Sequence, residues 1–183
     1  ASSWAALAEG KNYISVRAWN VAGTTVTLAD VFYIYKDTTP PYAVNGAAGG
    51  DAAWRKDPGT LYDVNLYDSG GSLLDAIEYS VWSERGMKGT LRKDWSPVVS
   101  APAGAASYTD DWPVDFAALE EGQATNYISV RFTDLAGNTS VYLDAFYVNK
   151  DKTLPEISDA QFGDDAWRNS SGTVYTVGFA DAG

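Results

Sequence analysis

Four aspartates of this 183-residue chain recur at matching places in two stretches that repeat each other: Asp30, Asp37, Asp51 and Asp68 return as Asp144, Asp151, Asp164 and Asp181. Two of these pairs flank a joint between repeats, Asp37 with Asp51 and Asp151 with Asp164, and Asp165 sits beside the second. The turn residue Asp134 is expected at the same end of its unit. Carboxylates gathered at one joint form a hard-oxygen donor set, and Ca²⁺ takes about six to eight such oxygens in flexible geometry. The residues that would hold it are Asp37, Asp51, Asp134, Asp151, Asp164 and Asp165, and the ion would cross-link successive units. The competing reading assigns the same aspartates to turns and strand ends. The chain has no continuous Asp-x-Asp-x-Asp-Gly loop.

Other chemistries find less support. Histidine and cysteine are both absent, which removes the commonest general base, the thiolate ligands and disulfide stapling. A serine nucleophile would lack its usual base. Glu120-Glu121 and Asp110-Asp111 read as solvated surface, and Ser69-Gly70-Gly71 is too short for a phosphate loop. No enzymatic activity is expected. Trp54 and Trp167, each followed by arginine, read either as a core plug or cation–π pair or as a platform for sugar rings. Lys36 and Lys150 precede Asp37 and Asp151, which raises an intramolecular Lys–Asp crosslink, but lysines at strand ends are usually exposed. The net charge of −11 disfavours nucleic acid as a partner. No apolar run is long enough to span a membrane.

The elements that position these residues follow from the repeat. Asn12 to Arg17 returns unchanged as Asn126 to Arg131, an offset of 114 (126 − 12), and Ala5 to Gly10 resembles Ala117 to Gly122. The chain therefore divides into the C-terminal part of one repeat (1–37), a complete repeat (38–151) and the N-terminal part of a third (152–183), with a unit of about 113 residues. Tyr62, Val64 and Leu66 alternate with polar residues, as do Tyr175, Val177 and Phe179, and this period of two marks half-buried strands. Further strands are expected at Ile77–Val81, Trp112–Phe116, Asn126–Phe132 and Thr139–Val148, with a short edge strand at Val98-Val99. A helical turn is expected over Ala117–Gly122, and hairpin turns at Asp68–Gly71 and Asp134–Asn138. About seven short strands with no helical periodicity predict an all-β fold of tandem antiparallel β-sandwiches.

The stretch Asn126 to Ser140, followed by Phe146 to Pro155, resembles the last hairpin of bacterial immunoglobulin-like (Ig-like) repeats. The shared pattern is an aromatic strand, then Asp-x-Ala-Gly-Asn, then a strand running into Asp-x-Thr-x-Pro. The copy at 12–41 departs from it, with Asn20 for the turn Asp and Thr24 for the turn Asn. The resemblance implies Ig-like units of the kind that build the stalks of large adhesins and surface-layer proteins, some of which hold calcium at their joints. The expected function is a structural spacer, stalk or filament-forming segment of an extracellular bacterial surface protein. Its partners would be neighbouring repeats, copies of itself in a filament or sheath, or a glycan or other surface ligand. A glycan- or protein-binding module, or an accessory domain of a secreted enzyme, is the alternative.

Overall fold

Alternation sorts the residues of each strand onto two faces, and the apolar faces meet in one core. The computed structural model describes residues 3–98, 104–122, 124–159, 162–163, 165–172 and 174–183. In chain order the strands are β1 (Gly10–Trp19), β2 (Thr25–Lys36), β3 (Tyr42–Asn45), β4 (Asp51–Arg55), β5 (Leu61–Tyr62), β6 (Val64–Tyr67) and β7 (Leu74–Glu84). They continue with β8 (Lys88–Pro97), β9 (Ser107–Tyr108), β10 (Trp112–Pro113), β11 (Thr125–Asp134), β12 (Thr139–Lys150), β13 (Glu156–Asp159) and β14 (Val177–Ala180). The chain is nearly all β.

The middle of the chain is a β-sandwich-like unit. One sheet has the order β4-β12-β11-β7-β8; strands β3-β6-β9 and the pair β10-β5 supply the other side of the core. Tyr62, Val64 and Leu66 from one side pack with Ile77, Tyr79, Val81, Ile128, Val130, Phe132, Phe146 and Val148 from the other. Tyr62 stacks on Phe146 with ring centroids 4.2 Å apart, and Trp112 meets the same phenylalanine edge-on at 5.7 Å. Such pairs add about 0.5–1.5 kcal/mol to the burial of the rings themselves.

Two local devices recur in the repeated hairpins. The pairing slips between Ile14 and Val16 in β1–β2 and between Ile128 and Val130 in β11–β12. Opposite each slip an aspartate takes a positive φ, 53° at Asp30 and 49° at Asp144. Its N–H donates to a serine hydroxyl, Ser15 or Ser129, at 3.1 Å in both. Aspartate tolerates the left-handed conformation that this bulge requires, so this repeated pair shapes the strand. The second device locks the hairpin's outer end. Asn126 is fully buried; its Nδ2 donates to the Glu120 and Val148 carbonyls, and its Oδ1 accepts from the Glu120 N–H. Asn12 makes the matching exchange with Ala8. Lys150 Nζ donates to the Leu119 carbonyl and Lys36 Nζ to that of Leu7, each at 2.9 Å.

Several expectations are corrected. Lys150 is buried, at 8% exposure, because its ammonium caps that carbonyl and approaches Glu121 at 3.8 Å. Asp51–Arg55, for which no strand was expected, pairs in parallel with β12. β8 extends the large sheet from residues that carry no alternating apolar pattern. The stretch from Trp112 to Phe116 is a strand only at Trp112–Pro113, and the helical turn is one 3-10 turn at Phe116–Ala118, capped by Asp115. Val98 is buried next to β8, while Val99 lies outside the described residues. Among its described residues the central stretch holds ten strands (β3 to β12) where about seven were expected.

Phe146 and its repeat counterpart Phe32 test how far burial governs stability, since they are 2% and 50% exposed. Phe146→Ala should lower the unfolding free energy by about 3–5 kcal/mol in urea titrations, and Phe32→Ala should change the main transition by less than about 0.5 kcal/mol.

Candidate functional site

Three chain segments that are remote in sequence converge where the first hairpin meets the central unit. Asp37 follows β2, Asp68 follows β6, and Asp134 ends β11 and opens the turn to β12. Proline at 40 and 41 stiffens the chain just after Asp37. One carboxylate oxygen from each of Asp37, Asp68 and Asp134 lies within 4.8 Å of the others. Asp68 and Asp134 are buried, so their charges need compensation.

Backbone N–H groups supply part of it. Asp68 accepts from Gly70, Gly71 and Leu73 at 2.6–3.2 Å. Asp134 accepts from the Asn138 N–H and Nδ2, both at 2.8 Å. Asp37 accepts from the N–H of Thr39 and of Ser72, both at 2.9 Å. Burial raises the pKa of Asp37, but the donors from Ser72 and Thr39 outweigh it and hold the carboxyl below its ordinary value. The Ser72 hydroxyl is close enough to contribute, yet it is buried without a well-aligned hydrogen bond.

The same residues tie the two units together. Asn138 Nδ2 donates to the Asp37 carbonyl at 3.2 Å, and within the central unit the Ser140 hydroxyl fastens the chain just after the joint by donating to the Pro41 carbonyl at 2.7 Å. Gly70 lies so close to Asp37 that a Cβ there would overlap its carboxylate. The second joint repeats this geometry. A Cβ on Gly183 would overlap the Asp151 carboxylate in the same way. Thr153 N–H donates to Asp151 at 2.9 Å, as Thr39 does to Asp37, and Gly183 N–H donates to Asp181 as Gly70 does to Asp68.

Of the residues singled out from sequence, Asp37 and Asp134 therefore come together. Asp51 lies elsewhere, on the strand beside the far end of β12. Arg55 grips it at 2.7 and 3.1 Å, and the Tyr62 hydroxyl donates to it at 3.2 Å. Burial raises its pKa while Arg55, the Ala53 N–H and Tyr62 lower it further, so it too stays below the ordinary value. Burial beside that anion pushes the Tyr62 hydroxyl up. Asp151 holds the second joint, Asp165 is exposed, and Asp164 lies outside the described residues. Asp68, a repeated turn residue outside the expected set, joins Asp37 and Asp134. Its repetition as Asp181 ahead of a glycine was the available signal. Trp54 is not a core plug: it is half exposed on β4, and Trp167 is exposed. The buried tryptophan is Trp112.

Asp37 and Gly70 set two expectations. A depressed carboxyl pKa contributes stability above the unfolded value and loses it as pH falls through the folded one. The destabilisation caused by Asp37→Asn should therefore be largest above pH 4 and shrink as pH falls below the ordinary carboxyl value of 3.8, in urea titrations across that range. Gly70→Ala forces the carboxylate off its donors and should cost about 1–3 kcal/mol.

No protein-family model matches the chain, and no curated protein sequence matches it.

Proposed function

We propose that this chain is a segment of a tandem array of Ig-like β-sandwich units with a mechanical role, holding distance and direction at a bacterial cell surface. The observation that carries this reading is the joint: the Asp–Thr–Gly arrangement at Asp37, Thr39 and Gly70 recurs at Asp151, Thr153 and Gly183. A spacer needs each unit to meet the next in the same way, and a joint closed by hydrogen bonds from three segments resists bending.

Calcium at the joint belongs to the same proposal. Asp37, Asp68 and Asp134 could hold the ion, and carbonyls or water would complete its coordination. Asn20 shows why charge at Asp134 matters. Its Oδ1 accepts from Ala22 and Thr24, so the turn forms without a carboxylate. The negative charge of Asp134 is thus additional to its work in the turn, and it adds to two others. A glycan-binding role is the second reading, favoured by Tyr13, Tyr33 and Tyr35, all more than half exposed around Lys11. A glycan array reports on it directly.

Stiffness can be measured because the chain has no native cysteine. Spin labels at Val21→Cys and Asp57→Cys, one on the tip of the first hairpin and one on the central unit, should give a narrow distance distribution that Asp37→Ala broadens. A distribution equally broad without Asp37→Ala rules out a stiff joint. For calcium, millimolar Ca²⁺ should raise the melting temperature above that in EDTA, and Asp68→Asn or Asp134→Asn should abolish the shift. Saturation at about 100 times the dissociation constant corresponds to about 2.7 kcal/mol. Identical melting in Ca²⁺ and EDTA removes the ion from the joint and leaves the spacer reading in place.

A further inference from the structure

We propose that Asn45-Gly46 is a self-modification site. Its asparagine deamidates to aspartate or isoaspartate when β3 opens, and the folded central unit holds the reaction off.

Asn45 is the one asparagine of the chain that precedes a glycine. In the reaction the Gly46 backbone nitrogen attacks Cγ of Asn45 and a C–N bond forms. The side-chain nitrogen leaves as ammonia, taking the proton that Gly46 gives up. Water then opens the cyclic imide at either carbonyl, so an amide and water become an acid and ammonia with no change of oxidation state. A side chain on the following residue would crowd the attacking nitrogen and restrict the backbone rotation that the attack needs, and glycine does neither. The fold itself demands that glycine, because a Cβ at Gly46 would overlap the Asp63 carboxylate.

Native contacts hold the amide away from the attacking geometry. Asn45 Nδ2, the leaving nitrogen, donates to the Ala145 carbonyl on β12 at 2.5 Å, and Oδ1 accepts from the Ala47 N–H at 3.0 Å. Asn45 pairs with Val64 in the β3–β6 ladder, and the Ala47 N–H also donates to the Asp63 carbonyl at 2.9 Å. Both ends of the amide and the backbone on either side of Gly46 are therefore fastened. Cγ turns onto the Gly46 nitrogen only when β3 leaves β6 and β12. That opening is local, since β3 has four residues. Asn45 also borders an open groove with Gly49, Arg85 and Tyr142, so water reaches the amide once it is freed.

The two products differ in consequence. Asp159 holds the matching place on β13, opposite Val177 as Asn45 is opposite Val64, so aspartate is compatible with the ladder. It lacks the donor that Asn45 gives to the Ala145 carbonyl. Isoaspartate adds a carbon to the main chain between Asn45 and Gly46 and shifts the pairing beyond it.

The test is peptide mass spectrometry of the whole chain aged in heavy-oxygen water at mildly alkaline pH, folded and in urea. In urea, Asn45 should convert faster than every other asparagine and take up heavy oxygen. In the folded chain its conversion should be at least about thirtyfold slower. Tyr42 is exposed and stacks on Tyr67 with ring centroids 5.3 Å apart, which backs the β3–β6 pairing. Tyr42→Ala should therefore speed conversion in the folded chain about two- to tenfold and leave the rate in urea unchanged. Equal rates folded and unfolded, no preference for Asn45 in urea, or a folded-state rate that Tyr42→Ala leaves untouched would each overturn the proposal.

Discussion

The inner face of the repeated hairpin must be covered, and the rest of the architecture depends on that constraint. Ile128, Val130, Phe132, Phe146 and Val148 present a continuous apolar surface. Burying each such side chain is worth about 1.5–3 kcal/mol, more than a typical neutral hydrogen bond contributes. Strands β5, β6 and β10 exist to supply Tyr62, Val64, Leu66 and Trp112 to that surface. The two-residue length of β5 and β10 shows that side-chain packing holds them, since so short a ladder has little hydrogen bonding of its own.

Polar groups then set geometry where apolar packing cannot. The bulge at Asp144 lets β12 bend, and the Asp144 carboxylate accepts from the Gly86 N–H at the β7–β8 turn. The buried Asn126 and Lys150 fasten the chain that enters β11, pinning the carbonyls of Glu120 and Leu119. These contacts reappear around Asn12 and Lys36, in a hairpin whose Phe32 is half exposed. They are therefore local to the hairpin and its leader and do not need the opposite sheet.

The joint joins the two scales. Asp37 belongs to the end of one hairpin, yet its carboxylate is bound by Ser72 and its carbonyl by Asn138, both in the central unit. Three carboxylates meet there because three loops fall at the same end of the sandwich. The glycine at position 70 is required by the closeness of that approach. A surface loop with no neighbour would have no need of it.

Much of this was legible in the sequence. Period-two alternation found the strands at 61–66, 77–81 and 126–132, and the repeat itself showed which residues belong to one recurring design. Asp134 and Asn138 announced their turn, because side chains that bond their own backbone act within a few residues. Strands β4 and β8 were not legible: β4 is held by pairing with β12, almost a hundred positions away, and β8 by pairing with β7, and neither carries an apolar alternation of its own. The grouping of the aspartates was legible only in part for the same reason. Asp37 and Asp51 are close in sequence, but the chain carries them to different partners, while Asp68 and Asp134 meet through the closure of the sandwich. Sequence alone determined the all-β character, the repeat and the turns, which depend on neighbouring residues. Tertiary structure alone decided which aspartates share a site and which tryptophan is buried, because those depend on distances set by sheet pairing.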